Sequence, residues 1–350
     1  MSKRPPRNGE TRKKIQNTLL VDGNALFKTA FFGAKNSYNQ YGHHIGGIYQ
    51  FMTTLRMLLT EDIYHRVYVF WDGNFSGKLR YEIYEPYKSE RGKNFITGTQ
   101  PTDPSELTQR EIIWEYLDEM YIRQLKHPII EGDDFIAYYC LNKKENEKIT
   151  ICTNDRDMVQ LVRENIRIYF LDLKKYVDNI NFSSYFCYKI ENAVLVKTII
   201  GDSSDSIKGI KGLGEKTLLK HFPEIGLKKV LIEDIIESAK HQLDERKKQK
   251  KPPIKALENI VNRTTDGIQG KNIYEINHKL VNLSKPMMTP DGIRKLNELT
   301  EGTLDNSGRD LKKVLEYMKR DGIDKTIGEY RYPEYLIPFK ELIQREKLEF

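Results

Sequence analysis

The chain is organised around one stretch, Ile130-Glu131-Gly132-Asp133-Asp134-Phe135-Ile136-Ala137, which places three carboxylates directly before an apolar run. Acidic residues are favoured in the first turn of a helix because the free N–H groups and the helix dipole attract anions, so the stretch predicts a helix start. A cap needs only one acid, however, and close carboxylates repel one another unless protons or a divalent cation neutralise them. From this stretch alone, a capped surface helix and a metal site are equally open.

Three apolar segments elsewhere in the chain each end at an aspartate. Residues 18–21, 67–71 and 149–152 predict buried strands that are followed by Asp22, by Asp72, and by the pair Asp155 and Asp157. Helical patterns over residues 25–32 and 48–59 separate the first two strands. Strands that alternate with helices predict a parallel sheet, and such sheets bind ligands outside the carboxyl ends of their strands. One strand-terminal aspartate is commonly a cap, but several at one edge predict a carboxylate cluster.

Composition limits the class of protein. With 350 residues, of which 39% are hydrophobic, the chain can form one large or two ordinary globular domains. No apolar run is long enough for a membrane span, and the basic N-terminus lacks the apolar segment of a signal peptide, so we expect a cytoplasmic protein that is not secreted. The net charge of +7 combined with an acidic cluster suits a polyanion that is held by its phosphates. A merely well-solvated basic protein is the alternative.

Two smaller features complete this profile. Residues 1–17 are basic and polar, and we expect them to be a disordered tail because they cannot form a core. The cysteines Cys140, Cys152 and Cys187 lack the paired spacing of a zinc site, so we expect buried, reduced thiols.

The segment from residue 73 to about 108 is long for a strand-to-helix connection. Basic residues alternate in it with tyrosines: Lys78, Arg80, Lys88, Arg91 and Lys93 with Tyr81, Tyr84 and Tyr87. Basic groups can contact phosphates and aromatic rings can stack on bases, as they do in proteins that bind single strands. The alternative is an amphipathic helix that lies on the sheet.

Past residue 190 the pattern becomes helical. Residues 198–205 carry Asp202 and Asp205, which would share one face if this segment were helical. A glycine-rich turn follows over residues 207–217, where backbone N–H groups can meet a phosphate; it contains Gly209, Lys211, Gly212, Gly214 and Lys216. Residues 254–261, 274–283 and 311–318 predict further helices, and the charge run over residues 240–255 predicts a solvated loop.

In this order, the acidic motifs resemble those of the 5′-nuclease family, the flap endonucleases and 5′→3′ exonucleases, most closely the bacteriophage and bacterial branch that includes phage-type ribonuclease H. The matching motifs are Leu20-Val21-Asp22-Gly23, Phe70-Trp71-Asp72-Gly73, Glu131-Gly132-Asp133-Asp134, Thr153-Asn154-Asp155-Arg156-Asp157 and Gly201-Asp202-Ser203-Ser204-Asp205. Residues 209–217 are similar to the family's helix–hairpin–helix element. Gly132 replaces a usual alanine, and we expect that change to be harmless.

The resemblance implies an α/β fold with a PIN-like parallel-sheet nuclease core over residues 18–190, an arch at 73–108, and a helical DNA-binding region over 191–350 with the helix–hairpin–helix at about 199–222. It implies two or more Mg²⁺ ions, with Mn²⁺ as a substitute. A first metal cluster would involve Asp22, Asp72, Glu131, Asp133 and Asp134, while Asp155, Asp157, Asp202 and Asp205 would complete it and hold the second.

For the substrate, the resemblance implies that Lys88 and Arg91 face the scissile phosphate, and that the hairpin binds duplex phosphates together with a monovalent cation. The expected activity is hydrolysis of phosphodiesters near 5′ ends of branched, nicked or RNA-primed duplexes, in the cytoplasm of a bacterial or phage-infected cell. A PIN-like RNA endonuclease and a non-catalytic, structure-specific DNA-binding protein are the alternatives. The C-terminal residues 344–350 are similar to peptides that dock on a sliding clamp, so a clamp or a single-strand-binding protein is a further candidate partner.

Overall fold

The computed structural model describes residues 16–89, 104–265, 272–302, 309–328 and 331–346. Its centre is a six-stranded sheet in which the first strand lies between the second and the fourth. In sheet order the strands are β3 (Arg123–His127), β2 (Arg66–Asp72), β1 (Gln16–Asp22), β4 (Glu147–Thr153), β5 (Ile166–Phe170) and β6 (Lys175–Val177). All neighbouring strands are parallel except β5 and β6. The parallel sheet and its three predicted strands are confirmed.

Strand β1 is buried on both of its faces. Leu19 and Val21 belong to the core on one side of the sheet and Leu20 to the core on the other. A parallel sheet is covered on both faces, so its central strands are apolar throughout. The strand begins two residues earlier than predicted, because the N–H of Gln16 donates to the Asn146 carbonyl and draws the end of the expected disordered tail into the sheet. Residues 1–15 lie outside the described part of the chain.

Helices cover both faces of the sheet. Those that precede β3 are α1 (Gly23–Gly33), α2 (Gly46–Glu61), α3 (Lys78–Tyr81) and α4 (Pro104–Glu119). Phe27 of α1, Phe51 of α2 and Tyr116 of α4 are buried together in the core of one face. The opposite face is covered by α5 (Gly132–Asn142), which contributes Phe135 and Ile136 to the second core. The helix predicted from the acidic stretch is therefore confirmed, and it begins within that stretch.

The chain after residue 190 is mainly helical, as predicted, but the solvated loop expected over residues 240–255 is wrong in its first part, which is helical up to Lys248. Its helices are α6 (Ala193–Ile200), α7 (Glu215–His221), α8 (Ile232–Lys248), α9 (Lys255–Asn262), α10 (Ile273–Val281), α11 (Pro290–Glu301), α12 (Leu311–Arg320), α13 (Ile323–Ile327), α14 (Tyr332–Tyr335) and α15 (Ile337–Glu346). Two short antiparallel strands, β7 (Gly201–Asp202) and β8 (Ile207–Lys208), flank a 3₁₀ turn over Ser203–Asp205.

The segment 198–205 differs from the continuous helix that we considered. Helix α6 ends at Ile200 because Gly201 has a φ of +72°. A Cβ atom there would lie 2.3 Å from the backbone nitrogen of Gly209, so only glycine permits this close approach of the two short strands. Asp202 and Asp205 consequently leave from a strand end and a 3₁₀ turn rather than from one helical face.

The last four helices pack on the six-stranded sheet, on the side of α1, α2 and α4. Val314, Met318 and Phe339 are fully buried in that core. The side chain of Arg56 on α2 donates to the Tyr335 carbonyl, and Arg345 on α15 donates to the Tyr64 carbonyl. These helices therefore complete the covering of one face of the sheet.

The cysteine prediction was only partly correct. Cys140 and Cys152 are fully buried, and burial raises the pKa of both thiols. Cys187 is exposed, because it lies in the loop between β6 and α6, outside both cores. Within the described ranges, no helix has the length and apolar character that a bilayer crossing requires.

Candidate active site

Asp22 and Asp72 lie at the carboxyl ends of the neighbouring strands β1 and β2. The Oδ1 atom of Asp22 accepts a hydrogen bond from the Ala25 N–H at 2.9 Å, and its Oδ2 atom accepts one from the Thr153 hydroxyl at 2.8 Å. The Oδ1 atom of Asp72 accepts from the Gly132 N–H at 2.8 Å. The end of β4 therefore orients the first carboxylate, and the start of α5 is joined to the second.

Helix α5 adds Asp133 to this edge, and the turn after β4 adds Asp155. Burial, followed by the charges of Asp155, Asp22 and Asp72, raises the pKa of Asp133 well above its usual value. Burial, Asp72 and Asp155 raise the pKa of Asp22 to about 7. The four residues therefore share the carboxyl edge of the sheet, where their like charges repel one another. The sequence prediction that strand ends and the acidic stretch share one edge agrees with this arrangement.

A second acidic group surrounds Lys197 on α6. Its ammonium group lies 2.7 Å from Asp157 Oδ1 and 2.6 Å from Asp202 Oδ2. Burial alone would lower the pKa of Lys197, but the two carboxylates outweigh it and raise the pKa. Burial and Asp155 raise the pKa of Asp157 to about 7, and Lys197 only partly opposes them. Sequence reasoning missed Lys197, although its place five residues before Asp202 lets the two side chains meet.

Glu131 and Asp134 form a third acidic group, which basic side chains neutralise. The Arg80 guanidinium lies 2.5 Å from Glu131 Oε2 and contacts Asp134 with both of its terminal nitrogens, at 2.6 and 3.0 Å. The ammonium group of Lys88 also contacts Glu131. Burial acts to raise the pKa of Glu131, but Lys88 and Arg80 outweigh it and lower the pKa. Burial raises the pKa of Asp134 despite Arg80. Asp134 is thus held in an ion pair with Arg80.

The phenol of Tyr87 joins this third group to Asp205. Its hydroxyl lies 3.0 Å from Glu131 Oε2 and 3.1 Å from Asp205 Oδ2. The backbone N–H of Lys88 donates to the Asp205 carbonyl at 2.8 Å. The turn that carries Asp205 is therefore tied directly to the segment that follows β2.

Two of the tyrosines expected to stack on bases are buried. Tyr84 and Tyr87 pack with Ile207, Leu280 and Val281 in a small separate core, which we call the hinge core. Tyr81 is half-buried. The rings of Tyr84 and Tyr87 are drawn inward because burial of their apolar area is favourable and the Tyr87 hydroxyl finds carboxylate partners. Lys88 is also buried, while Arg91 and the rest of the predicted arch between residues 90 and 103 lie outside the described part.

The glycine turn has the open geometry expected for a hairpin. Gly212 has a φ of +81° with free space where a Cβ would stand, and Gly214 is exposed. Gly209 instead lies against the Ile200 carbonyl. Ile210 and Leu213 anchor the turn in the core, while Lys211 and Lys216 are exposed. The Lys211 carbonyl accepts from Asn259 Nδ2, which fixes the turn to α9.

The acidic edge offers the kind of donor atoms that a hard divalent cation binds. Its donors are carboxylate oxygens, the ligands that Mg²⁺ prefers. In the described ranges, Asp22, Asp72, Asp133 and Asp155 make no salt bridge to Lys or Arg, so a cation would relieve their mutual repulsion. No three or more Asp, Glu, His or Cys side chains in those ranges are gathered closely enough to hold an ion as they stand. The chemistry of these donors fits a divalent cation, and the side chains would have to move closer together to complete the coordination.

The space around Gly132 shows whether alanine could occupy this position. A Cβ atom added there would lie 3.4 Å from the Phe70 carbonyl and 3.5 Å from Asp72 Oδ1, which are ordinary contacts. Alanine would fit at this position, in agreement with the prediction that the exchange of alanine for Gly132 is harmless.

A parallel sheet with carboxylates at its strand ends, joined to a helical region with a glycine hairpin, is the arrangement that the resemblance to the 5′ nucleases implies. Residues 17–186, just under half of the chain, match the family model of the 5′-3′ exonuclease, N-terminal resolvase-like domain. The prediction of family and fold class is confirmed.

Relatives in sequence include DNA polymerase I from Thermus caldophilus, which is 32% identical over 218 residues, covering 62% of this chain and 25% of that protein. A 5′-3′ exonuclease from Mycoplasmopsis pulmonis is 29% identical over 216 residues, covering 62% of this chain and 69% of the exonuclease. The chain therefore spans about a quarter of the length of the polymerase.

Among solved structures, bacteriophage T5 5′-exonuclease with bound zinc has a TM-score of 0.59 and 17% identity, with 88% of this chain and all of that chain covered. The T5 flap endonuclease in a complex with DNA and metal ions has the same TM-score, 19% identity and 87% coverage of this chain. These likenesses show the fold, which extends well beyond residue 186.

Proposed function

We propose that this chain is a divalent-metal-dependent 5′→3′ exonuclease and structure-specific 5′-flap endonuclease. It would hydrolyse phosphodiesters near the 5′ ends of DNA or RNA-primed DNA, as in primer removal during replication or repair. The observation that carries the proposal is the convergence of Asp22, Asp72, Asp133 and Asp155 at the carboxyl edge of the sheet, where burial and repulsion raise the pKa of Asp22 and Asp133. The match to the 5′-3′ exonuclease family model supports the same reaction.

The acidic residues divide between two cation positions. Asp22, Asp72, Asp133 and Asp155 would hold the first, with Glu131 as a further ligand, directly or through water. Asp157, Asp202 and Asp205 would hold the second, after Lys197 gives up its contacts with the first two of them. Bound Mg²⁺ or Mn²⁺ would lower the pKa of a water molecule and neutralise charge on the phosphate. Asp134 would support the first position from its ion pair with Arg80.

The basic residues after β2 would act on the phosphate. Lys88 lies beside the acidic edge, and its ammonium group would move from Glu131 to the scissile phosphate when a strand binds. Charge placed there is most effective in the transition state, when negative charge on the phosphate oxygens grows. Arg91 would act with Lys88, three residues further along the arch segment.

The hairpin would hold the duplex. Lys211 and Lys216 are exposed on either side of the turn and can reach phosphates, and the open backbone at Gly212 and Gly214 permits close approach. Turn carbonyls in this segment would bind the monovalent cation. A sliding clamp or a single-strand-binding protein would be a further partner, with the clamp meeting the C-terminal residues 344–350.

A cleavage assay on three substrates tests the proposal. A 5′-flap, a nicked duplex and an RNA-primed duplex, each labelled at both ends, would be incubated with the enzyme in Mg²⁺ and in chelator. We expect Mg²⁺-dependent products cut near the 5′ ends. Cleavage of single-stranded RNA alone would instead support a PIN-like RNA endonuclease, and binding without cleavage would support a non-catalytic DNA-binding protein.

A further inference from the structure

Arg80 is a buried cation that the proposed reaction does not use. Its side chain is 7% exposed and donates four hydrogen bonds, one to Glu131, two to Asp134 and one from Nε to the Leu280 carbonyl at 3.0 Å. Planar guanidinium groups suit such fixed, forked pairing with carboxylates. Arg80 cannot leave this place without breaking all of these bonds.

Glu131 is shared between Arg80 and a second cation, Lys88. The side chains of Glu131 and Asp134 are 3% and 1% exposed, so neither can be neutralised by bulk water. Together with Arg80 and Lys88 they form a balanced set of two negative and two positive charges. If Lys88 moves away, Arg80 still pairs with both carboxylates.

The contacts of Arg80 extend to the helical region. Leu280, whose carbonyl accepts from Arg80, belongs to α10 and to the hinge core with Tyr87. The N–H of Met287 donates to Asp134 Oδ1 at 2.9 Å. The pair of Arg80 and Asp134 is therefore held from two sides by the segment that leaves α10, which keeps the guanidinium in position when neighbouring groups move.

We infer that Arg80 is the permanent counter-ion of Glu131, and that its presence allows Lys88 to leave Glu131 for the phosphate of a bound strand. Arg80 is then a positioning residue that acts through Lys88, and the inference rests on the proposed function. Without Arg80, Lys88 would be the one cation of this set, and its departure would leave buried carboxylates unpaired, which is strongly unfavourable. Lys88 would stay on Glu131.

The experiment must distinguish an effect of Arg80 on Lys88 from a general loss of stability caused by an unpaired buried charge. Arg80→Gln leaves Asp134 unpaired and is expected to lower stability. The double variant Arg80→Gln/Asp134→Asn removes that unpaired charge, so its melting temperature should recover toward that of the wild type. Glu131 then has Lys88 as its remaining partner within the set. Arg80→Lys keeps the positive charge at this position. The matched control is Arg167→Gln, which removes an ion pair with Asp62 near the opposite ends of the strands.

We expect the double variant to lower kcat on a 5′-flap by about tenfold or more, while its Kd for the flap in chelator stays within about twofold of the wild-type value. Arg80→Lys should bring kcat back to within about threefold, and Arg167→Gln should leave kcat unchanged. Wild-type kcat in the double variant would overturn the inference. A parallel loss of binding and kcat would also overturn it, since Arg80 would then only brace the fold.

A second measurement does not depend on cleavage. An amine-reactive acylating reagent modifies Lys88 only when the ammonium group leaves Glu131, and peptide mass spectrometry follows the rate, with the exposed Lys216 as the internal reference. We expect modification of Lys88 in the double variant to be slower by about tenfold, because each departure is more costly. Equal rates would overturn the inference. If the wild type cleaves no substrate, the proposed function fails, while the acylation rates still decide the role of Arg80.

Discussion

Substitution of Phe339 tests whether the C-terminal helices are part of the nuclease core. Phe339 on α15 is fully buried in the core that also contains Leu55 and Leu59 of α2. Removing a buried phenylalanine side chain deletes its contacts and leaves a cavity, so Phe339→Ala should lower the free energy of unfolding by about 3–5 kcal/mol. The effect should fall on the whole nuclease core, because α15 shares this core with the helices that cover the sheet.

Urea unfolding followed by circular dichroism measures this loss. Ile337→Ala on the same helix is the control, since Ile337 is 49% exposed and its replacement should change the free energy of unfolding by no more than about 0.5 kcal/mol. Cleavage per folded molecule should be unchanged, because Phe339 is remote from the acidic edge. A loss below about 1 kcal/mol for Phe339→Ala, or a separate early transition of the C-terminal helices, would refute the packing argument.

Four further predictions concern the acidic edge and the hairpin. Chelator should abolish cleavage and added Mg²⁺ or Mn²⁺ should restore it; full activity in chelator would exclude a metal mechanism. Asp155→Asn should abolish cleavage but leave flap binding intact or tighter in a gel-shift titration, and parallel loss of binding would make Asp155 a structural cap. Lys211→Ala or Lys216→Ala should each reduce the slope of the logarithm of the DNA-binding constant against the logarithm of the salt concentration by roughly one unit. Unchanged slopes would mean that this segment is an ordinary turn without phosphate contacts. In chelator, the free energy of unfolding should rise from pH 8 to pH 6. The reason is that Asp22, whose pKa is raised to about 7, takes up a proton in the folded state while Asp22 in the unfolded state stays ionised. Asp22→Asn should reduce this rise, and a rise of unchanged size would assign the effect to other groups.

The sequence predicted the elements that are defined by local pattern. Strands β1, β2 and β4 are continuous apolar runs that end in polar residues, and the acidic stretch has the composition of a helix start. Strand β3 was missed because its sequence, Arg-Gln-Leu-Lys-His, lies at the edge of the sheet and carries charged residues. Edge strands bury less area, so their sequences carry a weaker apolar signal.

The basic partners of the acids could not be predicted from local pattern. Arg80 and Glu131 are 51 positions apart, and their pairing depends on how α3 and α5 pack on the sheet. The spacing of Arg80, Tyr84 and Tyr87, four residues and then three, was an available signal that the three side chains share one face. Alternation of basic and aromatic residues is compatible with an open binding surface, but the same alternation can turn one face of a segment inward, as Tyr84 and Tyr87 show.

The central position of β1 has a consequence for how the protein is made. This strand is synthesised before its partner β4, which lies more than 120 residues later in the chain, and Asp202 follows later still. Contacts this distant in sequence form slowly and late in folding. A growing or truncated chain that lacks β4 therefore holds Asp22 without the Thr153 hydroxyl that orients it. We expect such chains to have no nuclease activity until β4 is in place.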